Sequence, residues 1–195
     1  MNIDHIEMVE DYEKIYNKLL MKPINTFILE KLKISKPKKI EYTLFPKSKA
    51  ELSDMIETEI KKNGNQCSLN HIDVSEITDT SDLFYKSNFN GDISEWDVSN
   101  VTNMSSMFRR SDFNQDISDW DVSNVNDMSN MFQNCDFNQD ISAWDVSNVT
   151  SMFDMFNNSG FNQDISDWEI NPTCKTDDMF KKCSILPAFK PKAIF

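Results

Sequence analysis

Apolar and aromatic positions recur along most of the chain at one fixed step. Trp96, Trp120, Trp144 and Trp168 are each 24 residues apart, and Phe89, Phe113, Phe137 and Phe161 keep the same interval. Ile93, Ile117, Ile141 and Ile165 follow, as do the pairs Met107-Phe108, Met131-Phe132, Met155-Phe156 and Met179-Phe180. The unit reads Phe-Asn-Gln-Asp-Ile-Ser-x-Trp-Asp-Val-Ser-Asn-Val, then Met-x-x-Met-Phe and a polar tail. Full copies occupy 89–112, 113–136, 137–160 and 161–184. A weaker copy, 68–88, holds Leu69, Ile72, Val74, Ile77 and Leu83-Phe84 in step, so the repeats span 68–184.

The spacing inside one copy predicts a coil. Trp120, Asp121 and Val122 alternate as a short strand does. Ser123 and Asn124 offer oxygens that cap a helix start. Val125, Met128, Met131 and Phe132 then form one apolar stripe over two helical turns. The predicted fold is an α/β repeat solenoid whose coils each hold one short strand and one short helix. A single copy cannot cover its own apolar side, so neighbours must stack. In such a stack Asn114, Asn138 and Asn162 form an amide ladder that serves the corner backbone.

The ends need closing. Ser48-Lys49-Ala50-Glu51 is a capping-box pattern, followed by Leu52, Met55, Ile56 and Ile60 on one face and by Gly64, which predicts a capping helix within 46–67. Residues 1–45 read as a small, mainly helical extension: Ile6, Val9, Tyr12, Tyr16, Leu19 and Leu20 outline one helix, and Phe27, Ile28, Leu32 and Ile34 a second. Ile40, Tyr42 and Leu44 alternate like a strand. The tail 185–195 is expected to fold back over the last coil.

The copies beginning Phe113-Asn-Gln-Asp-Ile-Ser-Asp-Trp and Phe137-Asn-Gln-Asp-Ile-Ser-Ala-Trp resemble the BspA-type leucine-rich-repeat family. That family's repeat occurs in bacterial surface lipoproteins, mycoplasma-type proteins, some protists and large DNA viruses. The resemblance implies leucine-rich-repeat-like coils and a non-catalytic, often adhesive, protein-interaction role.

Charge sharpens the picture. Residues 65–184 carry 21 acidic and 6 basic residues, whereas 1–64 carry 11 and 12. The acidity belongs to the repeats, and it disfavours nucleic acid and anionic membranes as partners. No run approaches the ~18 apolar residues of a membrane span, and the N-terminus lacks a secretory pattern. Three glycines exclude a glycine-rich phosphate loop. Cys67, Cys135, Cys174 and Cys183 have no CxxC spacing and read as free thiols, with Cys135 and Cys183 in one repeat position as small buried residues. His71 reads as a corner residue, and the expectation is an intracellular or virion-associated chain with no enzyme activity, cofactor or metal.

The candidate interaction residues are Glu95, Asp97, Asp119, Asp121, Asp145, Asp167 and Glu169, flanking each Trp. Asp97, Asp121 and Asp145 are expected to accept from backbone N–H groups two residues on, as turn-forming Asp does. A basic protein partner is the leading use of such a column, ahead of a calcium ladder. Two other roles are open: a structural component of a larger assembly such as a viral particle, and an adhesin-like surface protein.

Overall fold

Four-residue turns, each closed by its fourth N–H on its first carbonyl, are the building blocks of this chain. The computed structural model describes residues 40–192, all but Ile40 within the unit Glu41–Phe195. The helices expected over 6–20 and 27–34, and Ile194 and Phe195, lie outside the described residues. In the copy 113–136, Trp120 N–H donates to Ile117 O (3.2 Å), Val125 to Val122 (2.9 Å), Met131 to Met128 (3.2 Å) and Cys135 to Phe132 (3.2 Å). All eight of these residues are buried. The turns therefore face their ends inward and their polar middles, such as Ser118-Asp119 and Ser123-Asn124, outward. The copy 89–112 repeats all four turns, and 137–160 repeats the first three.

The α/β solenoid coil of one strand and one helix does not form. Among the described residues there is no strand, and parallel pairing is confined to isolated bridges: Leu44 with Ile72, then Asp79, Asn103, Asp127, Ser151 and Lys175 in succession. The one α-helix among the described residues, α1 (Lys49–Asn63), lies outside the repeats. The expected helix over Val125 to Phe132 fails for a specific reason. Two consecutive turns, Met128 to Met131 and Phe132 to Cys135, bury steps of three, one and three residues, the same pattern as a helix face. Their third residues, Asn130 and Asn134, sit at φ 58° and 55°, left-handed values that a right-handed helix cannot contain. Ser106, Arg110, Asp154 and Asn158 occupy the same places in neighbouring copies, also at positive φ. The expected strand at Trp120 to Val122 fails because both flanking peptides are already committed to turns.

Donors not used inside a turn reach the next coil. Met104, Ser106, Phe108 and Arg110 N–H donate to the carbonyls of Asp127, Ser129, Met131 and Gln133 at 2.8–3.0 Å. Met128, Asn130, Phe132 and Asn134 do the same to Ser151, Phe153, Met155 and Asn157. Alternate residues along this side thus close the turn and tie the coils together, which satisfies the backbone without a sheet.

Aromatic columns fill the interior. Phe84, Phe108, Phe132, Phe156 and Phe180 stack with ring centroids 5.5–5.8 Å apart. The column Phe89, Phe113, Phe137 and Phe161 runs beside it at 6.2–6.4 Å. The Asn ladder is present: Asn114, Asn138 and Asn162 N–H each donate to the side-chain oxygen of the Asn one copy earlier, at 2.8–2.9 Å. Gln139 and Gln163 add their amides to the same column. Gly91 replaces that Gln in its copy, because a side chain there would run into Cys67 O.

At one end, Ser48 Oγ accepts from Glu51 N–H and the Glu51 carboxylate accepts from Lys47 N–H, fixing the start of α1. Gly64 ends the helix at φ 85°. Leu52 and Ile56 pack into the common core, where Leu69 and Ile72 begin the repeats. At the other end the tail continues the register: Leu186 N–H donates to Asn162 Oδ1, and Phe189 O accepts from Ile165 N–H. It adds the first part of a further coil before a short turn of 3-10 helix, Pro187–Phe189. No helix among the described residues is long and apolar enough to cross a membrane.

Candidate functional site: the acidic columns

The motif Asp-x-Ser opens three of the four turns in the copy 113–136. Asp116, Asp121 and Asp127 each precede a turn, and each accepts from the N–H two residues on: Ser118 (3.0 Å), Ser123 (3.1 Å) and Ser129 (2.8 Å). Stacking turns these into columns. Asp97, Asp121 and Asp145 accept from Ser99, Ser123 and Ser147 N–H at 3.0–3.1 Å, as expected for turn-forming Asp. Asp116, Asp140 and Asp164 form a second column with Ser118, Ser142 and Ser166. A third holds Asp79, Asn103 and Asp127 with Ser81, Ser105 and Ser129.

Reading the residues around Trp alone picks out only the first column. The signal for the others was present in the three Asp-x-Ser motifs of the copy 113–136, of which 89–112 and 137–160 keep two. Asn103 shows that the turn needs a side-chain carbonyl oxygen and not a negative charge.

Of the seven candidates, Glu95, Asp119, Asp121, Asp145, Asp167 and Glu169 are exposed, and Asp97 is half-buried. Asp97, Asp121 and Asp145 are brought into one column. The column through Glu95, Asp119 and Asp167 is broken by Ala143. Among the described residues the only ion pair to these seven is Lys192 to Asp167 at 3.8 Å, between two largely exposed side chains. Such a contact contributes little.

Hydrogen bonds hold several carboxylates in the ionised state. The Ser147 hydroxyl and N–H keep Asp145 below the ordinary carboxylate range. The Ser142 and Ser166 N–H groups, then their hydroxyls, do the same for Asp140 and Asp164, with the Asp140 charge opposing at Asp164. Burial pushes Asp79 up, yet Ser81 and Lys49 outweigh it and leave the group low. Tyr42 marks one end of the negative field: burial, then the charges of Asp73, Asp97 and Glu95, raise its phenol.

All four cysteines are free thiols, with Cys135 buried and Cys183 half-buried. The Ser111 hydroxyl lies 3.6 Å from Cys135 Sγ, and the thiol donates to Phe113 O (3.4 Å), so it fills a position that Ser takes in other copies. His71 is a corner residue: its carbonyl accepts from Thr43 N–H, and its ring faces Glu59 at 3.5 Å. No group of three or more His, Cys, Asp or Glu among the described residues is placed to hold a metal ion.

A family model described as "Mycoplasma protein of unknown function, DUF285" matches residues 50–136 and, in a second overlapping placement, residues 112–189. Together the placements take in the end of the stack at α1, every full copy and the start of the tail. No curated protein and no solved structure matches the chain.

Proposed function

The chain belongs to the DUF285 family, and on that premise we propose that it is a non-catalytic protein-interaction module whose recognition surface is the acidic columns. One observation carries the reading: exposed carboxylates stand at a fixed coil-to-coil spacing, and with the one exception of Asp167 no cation of the described residues pairs with the seven flanking Trp. The turns that bear Asp97, Asp121 and Asp145 are closed by their own hydrogen bonds, so the charges are oriented before a partner arrives. Preorganised charge of one sign favours fast association with a surface of the opposite sign. The partner is therefore a protein with a basic face. The likeness of the copies to BspA-type repeats supports a recognition role over a catalytic one.

The test is paired capture from the native source. The wild-type chain is compared with a variant carrying Glu95→Gln, Asp97→Asn, Asp119→Asn, Asp121→Asn, Asp145→Asn, Asp167→Asn and Glu169→Gln. These changes remove charge while retaining an oxygen acceptor for the turns. Loss of one stoichiometric basic partner from the variant supports the proposal. Retention of the same partners by a folded variant rejects it.

A further inference from the structure

We infer that Tyr85, Lys86, Arg109 and Arg110 form a second docking site, which takes a short acidic segment of a partner protein. Lys86, Arg109 and Arg110 are the only basic residues between positions 65 and 174, a stretch with 19 carboxylates, and the two arginines are the only ones in the chain. Lys86 and Arg109 gather about one exposed aromatic ring, and Arg110 follows Arg109 in the chain. Lys86 Nζ lies 4.9 Å from the centre of the Tyr85 ring, and the Arg109 guanidinium carbon lies 5.7 Å from it.

None of the three cations forms an ion pair among the described residues, although carboxylates outnumber them throughout this stretch. Arg109 is held in place instead by a neutral group. Its Nε donates to Gln133 Oε1 (2.6 Å), and Gln133 Nε2 donates to Asp154 Oδ2 (2.9 Å). The terminal nitrogens of the guanidinium then remain for a ligand, in the planar fork that suits a carboxylate.

The backbone fixes where two of the cations leave the chain. Lys86 and Arg110 share one repeat position and sit at φ 56° and 58°. The following copies place Asn134 and Asn158 there, at φ 55° and 54°, and Asn tolerates this conformation better than long side chains do. The two basic residues thus occupy strained positions for which the same protein has a more comfortable solution. Lys182 takes the same position in the last copy at φ 57°, so this conformation belongs to the turn and sets only where the side chains emerge. The electrostatics of Tyr85 agree: a hydrogen bond from Lys86, then the charges of Lys86, Arg110 and Arg109, lower its phenol.

The surroundings select the size of the ligand. A nucleic acid or an anionic bilayer would extend over the acidic columns and be repelled across roughly a Debye length of 8–10 Å. A segment with two or three carboxylates touches the cluster alone. This site is independent of the acidic-column reading, since it takes a ligand of the opposite charge at different residues.

The experiment titrates the full chain, labelled for amide NMR, with an acetylated and amidated triglutamate peptide, and in parallel with oligothymidylate. The expected result is shifts confined to amides around Tyr85, Lys86, Arg109 and Arg110. Affinity should weaken about tenfold in Arg109→Gln/Arg110→Gln, the loss of a charge-assisted hydrogen bond or two. Arg110→Gln alone, at an exposed side chain, should weaken binding with an unchanged amide spectrum elsewhere, and Lys181→Gln/Lys182→Gln should leave it intact. Absence of those shifts at millimolar peptide, equal binding by the arginine variants, or tighter binding of the oligonucleotide would overturn the assignment.

Discussion

The indole N–H of Trp120 donates to the carbonyl of Ile93, one coil earlier, at 3.2 Å. Trp96, Trp144 and Trp168 make the equivalent bond to Leu69, Ile117 and Ile141. The largest side chain of each copy thus both fills the core and satisfies a backbone acceptor at the corner of its neighbour. Trp120→Ala should cost about 3–5 kcal/mol, because two coils meet at the cavity. Trp120→Phe keeps most of the packing and removes the indole bond, while Ile93 O still accepts the Trp96 N–H, so it should cost about 0.5–1.5 kcal/mol. Equilibrium urea unfolding separates the two, and a Trp120→Phe chain as stable as wild type would mean that the indole bond contributes nothing.

Backbone strain gives a prediction of opposite sign. Ser106 sits at φ 58° in the third place of a turn. A left-handed conformation costs an ordinary residue roughly 1–2 kcal/mol, against about 0.5–1 kcal/mol for the extra freedom of glycine. Ser106→Gly should therefore raise stability by up to about 1 kcal/mol. Asn130→Gly, at the same position one copy later, should gain less. Gly64→Ala, at φ 85°, should lose a similar amount. Thermal unfolding of the three variants checks the order.

Much of this was legible in the sequence. The period, the Asn ladder and the helix at 49–63 all follow from residue identity, because each depends on side chains at a fixed step. The internal path of the coil was not legible. Met128, Met131, Phe132 and Cys135 are buried at helical spacing whether the chain turns as a helix or as two successive tight turns. The discriminating residues were Asn130 and Asn134, weak helix formers that accept positive φ. The turn-forming role of Asp97, Asp121 and Asp145 was legible, but that of Asp116 and Asp127, which open equivalent turns away from Trp, was not. The cationic cluster was missed because Tyr85 and Arg109 are 24 residues apart and meet only on stacking.

Acid should loosen the stack. Asp140, Asp145 and Asp164 have folded pKa values below their ordinary ones. A depressed folded value means that the stabilisation is complete above the unfolded pKa, about 3.9, and is lost as pH falls toward the folded value. The urea midpoint should be flat from neutral pH to about 5 and drop below about 4. Asp140→Asn/Asp145→Asn/Asp164→Asn should flatten that drop. An unchanged acid slope in the variant would place the responsible groups elsewhere.

Burial pushes the Cys135 thiol up, ahead of the opposing bonds from Ser111 and the Phe137 backbone. Little thiolate forms at neutral pH, and the sulfur has no path to solvent. In the native state Cys135 should resist a thiol-specific disulfide reagent that labels the half-buried Cys67, and should react once urea unfolds the chain. Peptide mapping of the labelled sites gives the result. Labelling of Cys135 as fast as Cys67 would mean that the stack opens locally around Phe113 and Phe137.

The most direct measurement separates the two jobs given to the acidic columns, forming turns and presenting charge. Asp97, Asp121 and Asp145 each hold a turn through one side-chain oxygen, and Asn103 performs the same task without charge at 3.0 Å. Unfolding free energies are compared for the wild-type chain, the triple Asn variant and the triple Ala variant at neutral pH. The Asn triple should stay within about 1 kcal/mol of wild type, while the Ala triple loses roughly 1 kcal/mol at each site. That outcome leaves the charge free for recognition. If the Asn triple falls as far as the Ala triple, the negative charge itself holds the turns, and the acidity of the repeats needs no partner to explain it.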